Sequence, residues 1–99
     1  QFSSIFYDGT LYYVDSVVGS FTKDDLDRKI LELGAVYVGL IRTETNHRWP
    51  SADLEASRLP VSLPVYYDKT DQTLYVVFDE ELRSLSPYQE ELYDLDAKK

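Results

Sequence analysis

Thr22-Lys23-Asp24-Asp25-Leu26-Asp27-Arg28-Lys29-Ile30-Leu31-Glu32-Leu33-Gly34 runs straight into Ala35-Val36-Tyr37-Val38-Gly39-Leu40-Ile41, and the change of period between them decides the fold class. In the first half Leu26, Ile30 and Leu33 recur at i, i+4 and i+7, which is one apolar stripe on a helix. Thr22 supplies the N-cap, Asp24 and Asp25 fall in the first turn where the dipole favours anions, and Phe21 can pack on Leu26 as a hydrophobic staple. Gly34 stands where a left-handed residue ends a helix. The second half is apolar on both faces, which predicts a strand inside a sheet rather than at its rim. Gly39 interrupts it and marks a bulge or a close approach of another backbone.

Strands are predicted on both sides of this unit. Upstream, Asp8-Gly9 separates two β-prone runs at about 3 to 7 and 10 to 18, the strongest short hairpin signal, because a type I′ turn needs positive φ at both central residues. Downstream, Val61, Leu63, Val65 and Tyr67 alternate with Ser62, Pro64 and Tyr66, and Leu74, Val76 and Phe78 alternate with Tyr75 and Val77. The polar linker Asp68 to Gln72 makes them a second antiparallel hairpin. Pro64 cannot donate to a ladder, so its strand is expected at an edge or with a bulge. A helical turn is expected at Asp79 to Leu85, then a helix over 86–97, with Ser86 as cap, Pro87 at its first position and Gln89 completing a capping box. The expected fold is therefore α+β: an antiparallel sheet of about five strands in the order hairpin, helix, strand, loop, hairpin, helix, with the first helix on one face. Residues 1–99 read as a single domain, with the C-terminal helix docked weakly.

Charge and composition narrow the function classes. Eighteen acidic against ten basic residues give a net charge of -8, which repels phosphate backbones and anionic lipid heads and favours basic partners. Direct nucleic-acid binding is thus disfavoured, and no apolar run approaches the ~18 residues that span a bilayer. With no cysteine there is no disulfide or thiolate chemistry, and the lean is to the cytosol, since small secreted domains usually need staples. One histidine and no cysteine make no conventional zinc site, and Asp68, Thr70 and Asp71 read as a turn rather than a calcium loop. The glycines form no phosphate-binding loop, so no cofactor is expected. Tyrosines on the predicted strands read as cross-strand sheet pairs.

The candidate site is the long connection Arg42 to Pro60, with a short helix expected at Ser51 to Ser57. Connections of this length are uncommon and are often functional or disordered; here the alternatives are a contact loop or a solvated loop whose Trp49 folds back onto the core. It holds the sole histidine, tryptophan and asparagine of the chain, and Trp and Arg are enriched at interface hot spots. Arg42, His47, Arg48 and Trp49 are accordingly candidate partner contacts, together with Glu90, Glu91, Asp94 and Asp96 on the acidic face of the C-terminal helix. The leading expectation is a small non-enzymatic interaction protein binding a protein partner with a basic surface. A DNA-mimic inhibitor of a nucleic-acid-binding protein is the first alternative, since a duplex presents a charge every ~1.7 Å of axis. A small hydrolase-type enzyme using His47 is the second, although no nucleophile motif accompanies that histidine. Free sheet edges are able to pair in a homodimer.

Overall fold

A computed structural model describes residues 2–88 of the chain. The elements are β1 (Ser4–Tyr7), β2 (Thr10–Ser20), α1 (Lys23–Leu33), β3 (Val36–Leu40), β4 (Thr43–Glu44), β5 (Glu55–Ser57), β6 (Pro64–Asp68), β7 (Thr73–Phe78) and β8 (Glu81–Pro87). They form one eight-stranded sheet in the order β3-β6-β7-β8-β2-β1-β5-β4. Every pairing is antiparallel except β4 with β5. The α+β class stands, with a larger sheet than expected and one helix among the described residues.

The helix follows its sequence signals closely. Thr22 Oγ1 accepts from the Asp25 N–H at 3.4 Å, and Gly34, at φ 73°, ends the helix. Ala35 N–H then reaches Ile30 O at 3.2 Å, and Gly34 N–H reaches Leu31 O at 3.1 Å, the two bonds of a Schellman motif. Ile30 is buried with Ala35, Tyr75 and Leu82, while Phe21, Leu26 and Leu33 pack around them. The register β6-β7-β8 places Tyr66, Tyr75 and Ser84 side by side, so α1 lies on the sheet face that carries Tyr66 and Tyr75.

The opposite face curls around the main core of Ile5, Tyr12, Ile41, Leu54, Ala56, Leu59, Val65, Leu74, Val76 and Leu85. The curl follows from connectivity, because the terminal strands β3 and β4 are consecutive in the chain and only Ile41 and Arg42 separate them. Two residues bridge at most about 10 Å, so the ends of the sheet must come round to meet. At this seam Ser62 N–H donates to Ile41 O at 2.8 Å, Ile41 N–H to Leu63 O at 3.0 Å, and Arg42 N–H to Leu54 O at 2.8 Å. Gly39, at φ 140°, lies under the Leu54 side chain, and a Cβ there would stand 2.7 Å from Leu54 Cδ1.

Several expectations are corrected. β3 is a terminal strand, not an interior one; its apolar residues are divided between the rim and the seam, with Val36 and Tyr37 exposed. β6 is interior, between β3 and β7, and tolerates Pro64 because that residue opens the strand and the β6-β7 ladder starts only at Val65. The bulge lies across from it in β3, between Tyr37 and Gly39. Residues 61–63 precede the strand, and Ser62 has φ 70°. Instead of a helix at Ser51 to Ser57, the chain turns through Leu54 at φ 62° into β5.

Instead of a helical turn at Asp79 to Leu85, Asp79 and Glu80 form a two-residue hairpin turn and β8 begins at Glu81. Ser86 and Pro87 close β8, so they do not start a helix; the rest of the predicted 86–97 helix, beyond Tyr88, lies outside the described residues. Asp79 and Glu80 have φ of 53° and 62°, a conformation that costs an L-residue roughly 1–2 kcal/mol. Combining Asp79→Asn with Glu80→Gly should therefore stabilise the domain by about 1 kcal/mol in urea unfolding. No gain would mean that this turn is not of the I′ kind.

Candidate functional site

The connection from Arg42 to Pro60 is ordered by one carboxylate. Glu55 projects from β5, and its Oε1 accepts from Ser51 N–H at 3.0 Å and Ala52 N–H at 3.2 Å. The same carboxylate takes both guanidinium arms of Arg48, Nη1 to Oε1 and Nη2 to Oε2, each at 2.9 Å. Arg48 Nη1 also donates to Ser51 Oγ at 3.1 Å and to Trp49 O at 3.2 Å. Arg48 thus acts first as an internal clip, which fixes the backbone that carries Trp49. The loop is further pinned where Thr45 N–H meets Ala56 O at 2.7 Å.

The Arg48 guanidinium and the two backbone N–H groups stabilise the Glu55 anion and hold its carboxyl at about 2, against an ordinary 4.5. A folded-state value below the unfolded one means that the clip stabilises fully above about pH 4.5 and is lost as pH falls toward about 2. Across that window the stability of the native chain should fall more steeply than that of Glu55→Gln, measured by denaturant midpoints. Parallel curves would show that the clip does not titrate.

Trp49 is 46% exposed and does not fold back into the core. Its ring lies 4.9 Å from Phe2 and is stacked on Tyr88 at 6.4 Å, and Phe2 in turn meets Tyr13 at 5.5 Å and Tyr88 at 5.6 Å. Four rings therefore gather from the chain start, β2, the loop and the end of β8. His47 is exposed in the bend before Arg48, and Arg42 is exposed between β3 and β4. The structure brings Arg48 and Trp49 together, with His47 beside them, while Arg42 belongs to the seam. Glu90, Glu91, Asp94 and Asp96 lie outside the described residues.

Beside the ring cluster, the bulge of β2 between Val14 and Ser16 turns Asp15 toward a row of hydroxyls. Asp15 Oδ1 accepts from Ser84 Oγ at 3.0 Å, Oδ2 accepts from Ser86 Oγ, and Ser16 and Ser84 hydroxyls meet at 2.6 Å. These bonds join a carboxylate to hydroxyls across β2 and β8 as a polar cross-strand ladder. Asp68 Oδ1 accepts from the Thr70 N–H at 3.0 Å and the Asp71 N–H at 3.4 Å, which is the geometry of a turn. Among the described residues no three His, Asp or Glu side chains gather as a metal would require. Nor is any helix among them long and apolar enough to cross a membrane.

No family model, curated protein or solved structure matches the chain. Sequence reasoning missed Glu55, Phe2 and Tyr13, and it placed Tyr88 inside the helix expected over 86–97. Only tertiary folding brings these residues to Trp49, and no local spacing announces it.

Burial also sorts the tyrosines. Tyr12 is buried with its hydroxyl bonded to Tyr67, and burial together with that bond raises it to about 12. Tyr7 meets Tyr67 in a tilted contact at 5.2 Å, and Tyr37 meets Tyr66 edge-on at 5.8 Å. Tyr7, Tyr12 and Tyr67 thus fill the core side of the sheet, whereas Tyr37 stays exposed at its rim.

Proposed function

We propose that the chain is a small acidic, non-enzymatic interaction protein that binds a protein partner with a basic surface, using the loop around Trp49. The observation that carries this reading is the exposed Trp49 ring on a backbone already fixed by the Arg48–Glu55 clip. A large aromatic side chain held in advance loses little entropy on docking, which is the property of an interface anchor. The net charge of -8 supports a basic partner, since complementary fields speed encounter.

Capture on the immobilised protein, eluted in salt steps, tests this. Basic proteins should be retained at low salt, released as salt rises, and lost with Trp49→Ala while that variant keeps its melting temperature. Retention that ignores both salt and Trp49 would remove the proposal. Arg48→Ala should weaken capture indirectly, by loosening the loop, and is the less informative change.

A further inference from the structure

Hydrophobic exposure concentrates at one rim. Leu31 is 79% exposed, Val36 62%, Tyr37 58% and Leu40 44%, and all four lie on β3 or on the last turns of α1 that lead into it. β3 pairs with β6 on one side and is the terminal strand on the other. From Leu33 to Ile41 there is no charged residue and no proline.

Soluble domains blunt such edges with lysine, proline, inward charges or bulges. Another open stretch follows that rule. Among the described residues β2 beyond Val14 has no partner on its β1 side, and there it is bulged twice and carries Asp15. In β3 the single bulge falls at Gly39, where Leu54 already closes the seam, so Val36 to Val38 remain unblunted.

We propose that this rim is where a second copy of the chain docks, β3 against β3, antiparallel about a two-fold axis. The occupant follows from the charges at the two ends of the strand. Glu32, on the last turn of α1, marks the start of β3, and Arg42 marks its end; both are exposed. Glu32 contacts only Lys29, at 4.0 Å, among the ion pairs of the described residues. A two-fold axis brings the start of each strand to the end of the other, so Glu32 of one copy faces Arg42 of the other, twice, around an uncharged centre. A basic strand would gain from Glu32 but would be opposed by Arg42. The charge of -8 on each copy resists approach at long range, and that resistance is screened beyond ~8 Å at physiological ionic strength. Self-association is therefore weak and rises with salt, opposite in sign to the capture of a basic partner.

Sedimentation of the whole chain, from low micromolar to about 0.5 mM at two ionic strengths, reads this. The weight-average mass should climb toward a dimer, and more so at the higher salt. Tyr37→Lys should raise the dissociation constant about tenfold or more, with Val36→Lys as the second probe should the first variant lose its circular dichroism. Val17→Lys, at an exposed valine of β2, and Trp49→Ala should leave it within about twofold. Arg42→Glu should weaken the dimer, and adding Glu32→Arg should restore it. The proposal is overturned by a monomer at every concentration, by a dimer that Val17→Lys dissociates as well as Tyr37→Lys does, or by failure of the double reversal to restore association. A foreign strand found at the rim of a strictly monomeric chain would overturn it too.

Discussion

Leu54→Ala is expected to lower the free energy of unfolding by about 3 kcal/mol, the range found for a leucine removed from a packed core. In a chain of this size that is a fall in melting temperature of roughly 15 °C. Leu54 is 3% exposed and fills the seam where the sheet meets itself. Its N–H donates to Phe6 O at 2.7 Å and its carbonyl accepts from Arg42, so its backbone ties β1 to the start of β4. The positive φ of 62° prevents that backbone from relaxing into an ordinary strand to fill the space. Urea unfolding of Leu54→Ala beside Val61→Ala, an exposed site, checks the claim. The control should stay within about 0.5 kcal/mol of the native chain. Equal losses would mean that the seam is not a packed junction.

Gly39→Ala is expected to cost about 2 kcal/mol, mostly through the backbone, since φ 140° is a region that L side chains rarely adopt. The new methyl group also meets Leu54 Cδ1, but that atom ends a flexible side chain and can move aside. The two parts separate in a double-mutant cycle. With Leu54→Ala in place the collision is gone, and the cost of Gly39→Ala should shrink by roughly 0.5–1 kcal/mol while the backbone share remains. Exact additivity would show that the pair does not touch in solution.

Local chemistry was legible in the sequence. Asp8-Gly9, the Thr22 cap and the Gly34 stop each depend on neighbours within a few residues, and each is found where its residues call for it. Strand number and order were not legible, because β4 has two residues and β5 three, too short to show a period. The apolar run of β3 was misread for a physical reason. Covered faces and an uncovered rim are both written in aliphatic residues, and only the neighbouring strands distinguish them. Asp79-Glu80 hid a hairpin because two acidic residues with good helix-start chemistry occupy a turn that favours Asn and Gly. The rare residues of the candidate loop were legible in the sequence, but the role of Arg48 depends on Glu55, a partner that arrives by folding.

The pairing of β2 with β8, Ser16 beside Ser84, joins positions near the two ends of the described chain. The three hairpins can close early, since each spans a few residues, but this ladder forms only after positions 68 residues apart have been drawn together. Such distant pairings place a domain among the slower folders, in milliseconds to seconds rather than microseconds. While the ladder is open, the facing edges of β2 and β8 stand unpaired, and it is in that interval that the chain is most exposed to association with the wrong neighbour.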